Sequence, residues 1–303
     1  MTHIPAAQFQ NPPVRRVPGF LLRLWTSYRA APAPLFALLV AGIFVFSAIF
    51  ADWVSPYPPG RVSFLNSLEP PAWQDGGSIK HLLGTDQLGR DQLSRLIYGA
   101  QLSLMISAIG VVGAGVFGVF LGILAGYGPS WIGAIVMRTV DAFLSMPFIL
   151  VVLAFIAAVG VSFQSIVIVM WLTNWPRYAR LVRGEVLKVR EADFVALARV
   201  AGVKPWRIAA VHILPNVMNS VIVLATIDVG RVIVLEATLS FLGLGIQPPD
   251  TSWGLMLADG QVFITHAWWL AAFPGLAILF TVLAFNLLGD WLRDRLDPRM
   301  GIN

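Results

Sequence analysis

The stretch FVALARVAGVKPWRIAAVHILPN, Phe194 to Asn216, decides how the whole chain is read. It is basic, it holds no run long enough to cross a bilayer, and Gly202 and Pro205 break it in two. Before the break, Phe194, Leu197, Ala198 and Ala201 recur at i, i+3, i+4 and i+7, which places them on one helix face. Gly202 is a C-terminal stop, and Pro205 suits the first turn of a second helix. Trp206, Ala209, Ala210 and Ile213 repeat the spacing, and Pro215 is expected to end that helix. The pattern predicts two short amphipathic helices at an angle, joined by a glycine hinge. A DNA-binding helix-turn-helix also places a Gly in its turn. Here the segment is tethered within a few residues of an apolar span, Pro205 stiffens the start of any recognition helix, and no third helix completes a domain. Nucleic acid is excluded as a partner on those grounds.

The surroundings are far greasier than the stretch. Of 303 residues 57% are hydrophobic and 12% charged, with a mean hydropathy of +0.75. A soluble domain carries about 25% charged residues, so this chain lacks the polar surface to coat a globule in water. An all-α, polytopic membrane protein in a lipid bilayer is the class that fits. Cys is absent, which removes disulfides, thiolate chemistry and Cys-based metal sites. The net charge of +5 matches basic cytoplasmic loops better than a nucleic-acid surface.

A helix needs about 20 apolar residues to cross the hydrocarbon core, and about six segments qualify or nearly do. They are Pro34 to Val54, Leu102 to Tyr127, Ile135 to Val159, Phe163 to Tyr178, Val217 to Leu244 and Trp268 to Leu288. The fourth is the shortest, because Pro176 and Arg177 interrupt its apolar core. Arg15, Arg16, Arg23 and Arg29 precede the first span. Arg177, Arg180, Arg183, Lys188, Arg190, Arg199, Lys204 and Arg207 lie between the fourth and fifth, and Arg293, Arg295 and Arg299 follow the sixth. The loop from Gly245 to Ala267 has no Lys or Arg. The positive-inside rule then places both termini and the broken segment on the cytoplasmic side.

The expected organisation follows. Residues 1–33 form a cytoplasmic N-terminal segment, in which Phe20, Leu21, Leu24, Trp25 and Tyr28, interleaved with Arg23 and Arg29, have the pattern of an interfacial helix. This segment is not a cleavable signal peptide, because its apolar run comes late and no small-x-small site follows. Residues 34–54 are the first span and 55–101 an extracytoplasmic loop. Residues 102–291 are a five-helix core containing a cytoplasmic loop at 179–216, and 292–303 a cytoplasmic tail. In the outer loop Asp91 is placed to cap a short helix with Leu93, Leu96 and Ile97 facing inward.

Three sets of residues inside the spans stand out. Gly110, Ala114, Gly118, Gly122 and Gly126 put a small residue at every fourth position of the second span, a stripe another helix backbone can approach closely. Pro147 and Pro274 are expected to kink the third and sixth spans. Charges within spans are costly and face a cavity or a partner. Arg138 and Asp141, and Asp228 and Arg231, are spaced as i, i+3 pairs, with Glu236 in the outer half of the fifth span. For each, a structural pair inside the bundle and a lining of the translocation passage remain open.

Chemistry of its own is not legible. Lys80, Lys188 and Lys204 are none of them preceded by Gly, so there is no P-loop to cradle nucleotide phosphates. His3, His81, His212 and His266 are scattered without metal-ligand spacing, and no G-x-S-x-G elbow occurs. The broken segment is better explained as a docking element through which a soluble partner pushes on the bundle. Against this stands a secondary transporter or channel driven by an ion gradient, with Asp228 and Glu236 as proton carriers; that reading leaves the segment without a purpose.

Here the sequence resembles a known family. AGVKPWRIAAVHILPN is similar to the cytoplasmic coupling loop of ATP-binding-cassette import permeases, with Gly202 and the Leu214–Pro215 pair at the family's separation. The family's Glu-Ala-Ala opening is represented by Ala196, Leu197 and Ala198, without the acidic residue, as in the peptide-transport branch. HLLGTDQLGRDQLSRLIYGAQLSL (His81 to Leu104), MRTVDAFLSMPFIL (Met137 to Leu150) and EATLSFLGLGIQPPDTSWGLML (Glu236 to Leu257) resemble the second permease type of dipeptide, oligopeptide and nickel importers. The likeness runs from about Pro34 to the C-terminus. A departure is Lys204, where a Ser commonly caps the second cytoplasmic helix.

The resemblance implies a type I importer permease fold in a bacterial cytoplasmic (inner) membrane. It implies that Ala196, Ala198, Gly202, Lys204, Pro205, Trp206, Arg207 and Pro215 meet an ATPase. It also implies a homologous sister permease forming a heterodimer, two ATP-binding subunits that hold ATP and Mg²⁺, and an extracytoplasmic solute-binding protein meeting residues 55–100. The chain itself then binds no cofactor and is no enzyme; it forms half of a pathway for peptides or related small solutes.

Overall fold

The computed structural model describes residues 32–296. The expected interfacial helix at Phe20–Tyr28 and the end of the tail, Arg299 included, lie outside the described residues. Among those described, regular structure is helical, with one isolated bridge between Thr85 and Asp91. Nine helices build it. They are α1 (Pro32–Ile49), α2 (Gln92–Tyr127), α3 (Ser130–Ser145), α4 (Phe148–Val159), α5 (Phe163–Val189), α6 (Asp193–Val200), α7 (Pro205–Phe241), α8 (Trp253–Gln261) and α9 (Trp269–Leu296). A four-residue helical turn, Ala51–Val54, extends α1.

α2 is the axis of the molecule. Its 36 residues span about 54 Å at 1.5 Å per residue, so its two ends mark the two ends of the bundle. Asp91 caps it, accepting from Ser94 N at 2.7 Å. The helix expected to be short and separate therefore runs straight on into the second span, so the 55–101 loop ends ten residues earlier than its expected boundary. The loop end is held by charge. Asp86 accepts from Leu88 N at 2.8 Å and from Arg90 N at 2.9 Å, and it pairs with Arg90 Nε at 2.6 Å and with Arg95. Arg95 also reaches Asp259 at 3.3 Å, and His81 Nδ1 lies 2.9 Å from Asp91. Asp86, Arg90 and Arg95 of the loop are thus paired among themselves.

Among the described residues four helices are long and apolar enough to cross a membrane: α1, α2, α7 and α9. α3 and α4 together make a fifth, bent by 93°. The expected single kinked span at Ile135–Val159 is corrected to this broken pair. The cause is Pro147, whose ring pushes the preceding residue out of the helical region; Met146 is extended at φ −82°, ψ 135°. The remaining expected span, Phe163–Tyr178, is the first half of α5, which does not stop at Pro176 but continues to Val189 with Arg177, Arg180 and Arg183. Beside Pro176, Thr173 Oγ1 turns back to Val169 O at 2.7 Å and Asn174 Nδ2 to Met170 O at 2.8 Å, so both polar side chains are satisfied within the helix. α9 runs unbroken through Pro274 and extends into the expected tail as far as Leu296. The segment 179–216 is likewise no simple loop: it is the end of α5, all of α6 and the start of α7.

The outer sides of the helices are apolar. Leu35, Leu39, Ile43 and Phe46 on α1 and Val112, Val116 and Phe120 on α2 are exposed, as befits helices whose backbone groups are satisfied internally and whose surface meets hydrocarbon.

Candidate functional site: a two-helix ledge and an intramembrane charge cluster

The α2–α5 seam positions everything else. At Gly118, an added Cβ would lie 2.5 Å from Tyr178 Cβ and 2.6 Å from Trp175 O. At Gly122 it would meet Val182 Cβ at 2.6 Å, and at Gly126 Val186 Cγ1 at 2.7 Å. Gly110 faces Met170 at 3.1 Å, and Ala114 is fully buried in the same core. The stripe lies along α5 for its whole length, so α5 cannot shift against α2 without collision.

At the end of α5 the chain turns into α6. Arg190 Nη1 donates to Gly126 O at 3.1 Å, and the Arg199 guanidinium lies 5.6 Å from the centre of the Tyr127 ring. α6 closes as the sequence pattern expected. Gly202 takes φ +73°, its N–H reaches Arg199 O at 3.0 Å, and Val203 N reaches Ala198 O at 3.1 Å. These two bonds make a Schellman motif, which needs a left-handed residue at that point. Pro205 stands in the first turn of α7. Lys204 is the N-cap, and its side chain makes no capping bond.

The face picked out by spacing, Phe194, Leu197 and Ala201, is exposed, with Ala198 half-buried and the Phe194 ring 6.3 Å from that of His212; the anchoring residue of α6 is Val195, fully buried. On α7 the anchors are Ile208 and Ile213. One reading of this segment needs correction: Pro215 does not end the helix, and α7 continues as one 37-residue helix to Phe241. A π-type turn at Ala209–Ile213 absorbs the proline, since wider hydrogen-bond spacing makes room for a ring and a missing N–H.

The outcome is a ledge fixed from below and bare on top. Ala196, Gly202, Lys204, Pro205, Trp206, Arg207 and Pro215 are exposed, Trp206 to 68% and neighbouring Val200 to 88%. A ledge carrying a tryptophan, aliphatic side chains and cations, one turn from a membrane-crossing helix, can pass a push from a soluble body straight into α7.

Of the two i, i+3 pairs, Asp228 and Arg231 lie within ion-pair distance, while Arg138 does not meet Asp141. Asp228, buried in the middle of α7, is bound by Arg177 Nη1 from α5 at 2.7 Å, while Arg231 stands 3.9 Å away and donates instead to Asn174 Oδ1 at 3.1 Å. Asp141 pairs with Arg180, and Arg138 is exposed and outside that pair. Arg177 and Asn174 were missed as members of this cluster. Arg177 read as a loop cation, and sequence separation of more than 50 residues hides the contact. Among the described residues Glu236 has no ion-pair partner: it accepts from Ser240 Oγ and Ser252 Oγ, both at 2.7 Å. Ser252 in turn caps α8, accepting from Leu255 N at 3.1 Å, so this buried carboxylate anchors a helix that the Gly245–Ala267 loop did not announce. Among the described residues no group of three or more His, Cys, Asp and Glu is placed to hold a metal.

The fold is an all-helical multispan membrane bundle with an exposed ledge at one end. A family model described as "Binding-protein-dependent transport system inner membrane component" matches residues 118–302, and the chain belongs to that family. It is 44% identical to the Di/tripeptide transport system permease protein DppC of Pseudomonas aeruginosa (strain UCBPP-PA14), over 93% of each chain. It is 42% identical to the Dipeptide transport system permease protein DppC of Escherichia coli (strain K12), over 99% of each. To the inward-facing MetNI methionine ABC transporter in its CY5 native crystal form the TM-score is 0.54 at 19% identity, covering 67% of this chain and 97% of that one. The fold is that of type I importer permeases, and the chain is a permease subunit of an ABC importer.

Proposed function

We propose that this permease forms half of the passage of an ATP-driven importer of di- and oligopeptides, and that the α6–α7 ledge is where the motor pushes. The observation that carries the proposal is the ledge itself: exposed Trp206 and Val200 on a scaffold locked by Val195, Ile208 and the Arg190–Gly126 bond. The names of the relatives support peptides as cargo. ATP and Mg²⁺ are held by two partner subunits, because the chain carries no Gly-Lys pair for a P-loop. A sister permease supplies the other half of the passage. The ledge faces the cytoplasm, as do both termini, and the opposite end, with its ion-paired loop, receives peptide from an extracytoplasmic binding protein. Closure of the ATPases around nucleotide draws the ledges together and turns the passage outward; hydrolysis releases them.

An ion-gradient carrier would give the ledge no work. The test is reconstitution of the permease pair with and without its ATPase subunits. Dipeptide uptake that requires ATP, the ATPase subunits and the binding protein supports the reading; uptake by the permeases alone under an ion gradient contradicts it.

A further inference from the structure

The charge cluster on α5 and α7 does not balance. Arg177 and Arg231 surround one carboxylate, Asp228, whose side chain is 1% exposed. The arginine side chains are not sealed in: Arg177 is 35% and Arg231 40% exposed. Arg231 is held by Asn174, itself buried and fixed to Met170 O at 2.8 Å, so its guanidinium is steadied at one edge and open at the other.

The open edges continue as a track. Arg180 follows Arg177 by one turn of α5 and meets Asp141 of α3, and this pair is well exposed. From Arg231 through Arg177 to Arg180 and Asp141, charged groups run from mid-bundle toward the end that carries the ledge. A surface facing lipid tails does not carry such a track, since each intramembrane charge costs several kcal/mol unless it meets water or a counter-charge. Lipid phosphates on the ledge side do not reach its deep end: Arg231 lies about 21 Å along α7 from Val217 and about 15 Å from the helix end at Phe241, whereas headgroups begin about 15 Å from the bilayer midplane.

We infer that Arg231, with Arg177 beside it, is a carboxylate-binding point in the middle of the passage, and that its ligand is the C-terminal carboxylate of the peptide in transit. This rests on the import of peptides proposed above. A guanidinium offers parallel N–H donors to a carboxylate. Asp228 keeps the two cations together without neutralising both, so one positive charge remains for the cargo. Arg231 is better placed than Arg177 to give it, because Arg177 is closer to Asp228 by more than an ångström. A carboxylate leaving this point toward the ledge end next meets the Arg180–Asp141 pair, whose mixed sign gives a weaker hold and lets it pass.

The test uses the whole importer in proteoliposomes, with dialanine as cargo and three versions of this chain: wild type, Arg231→Gln and Arg231→Lys. Arg231→Gln is expected to lower maximal uptake about tenfold, the worth of one charge-assisted contact. Arg231→Lys is expected to recover it to within about threefold of wild type. Co-purification of the sister permease is expected to be unchanged in both. Wild-type uptake by Arg231→Gln overturns the inference. So does an Arg231→Lys protein as inactive as Arg231→Gln, which would make the bond to Asn174 the whole role. Loss of the sister permease from the Arg231→Gln complex also overturns it, since the cation would then serve an acidic group of that subunit. If the wild-type complex itself takes up no dialanine, the peptide reading has failed and this inference with it.

Discussion

The glycines of α2 and the glycine of the ledge are the same residue put to opposite uses. Gly118, Gly122 and Gly126 are there because a Cβ would strike α5 at 2.5 to 2.7 Å. Gly202 has no neighbour within 4 Å of such a Cβ, and it is there because φ +73° is hard for any other residue. One region is specified by space and the other by backbone conformation. The seam must not move, and the ledge must keep its shape while something pulls on it. A change in the seam should therefore cost folded protein, and a change on the ledge should cost transport alone.

The largest expected effect tests the first half of that contrast. Gly122→Leu forces a branched side chain into Val182 and the Ala179 carbonyl, overpacking worth about 3 kcal/mol or more. The yield of monodisperse protein in detergent should fall sharply, with a lower melting temperature for what remains. Next comes the ledge: Trp206→Asp should abolish ATP-driven uptake while the protein inserts and melts as wild type, and Gly202→Pro, which can neither take φ +73° nor donate to Arg199 O, should abolish uptake by unmaking the end of α6 while the chain still inserts. If Trp206→Asp also lowers the melting temperature, the ledge is part of the core and the contrast fails.

Asp228→Asn falls between the two. It leaves Arg177 and Arg231 facing each other without their carboxylate, a loss of about 2 kcal/mol, discounted because both arginines are partly exposed. Thermal melting of the purified protein measures it, and no loss would mean the Arg177 bond of 2.7 Å contributes little. The smallest effect is a gain: Lys204→Ser restores a capping oxygen to the first turn of α7, worth about 1 kcal/mol. It should appear as slower amide exchange at Trp206 and Arg207.

What could be read from the sequence was what depends on neighbours in the chain. Gly202 and Pro205 announced the end of α6 and the start of α7, and Asp91 announced a helix cap, because caps and breakers act within a turn. The seam was also legible, since a four-residue repeat of small residues has few other uses in a membrane helix. The exposure of Phe194 and Leu197 was not, because spacing gives a face but not what covers it. The continuation of α7 through Pro215 depends on a π-type turn that no local signal marks. The partner of Asp228 was hidden for the plainest reason: Arg177 lies 51 residues away, and only the packing of α5 along α2 brings it there. α8 was missed because its anchor, Ser252 on Glu236, joins two segments through a single buried carboxylate.

The chain contains no cysteine, so Trp206→Cys supplies a single chemical handle at the tip of the ledge without further substitutions. Crosslinking from that position in native membranes, with the captured protein identified by mass spectrometry, tests the central claim most directly. The account predicts capture of an ATP-hydrolysing subunit, and labelling of the thiol only by reagents that cross the membrane. Labelling by an impermeant reagent from outside, or capture that never includes an ATPase, would contradict it.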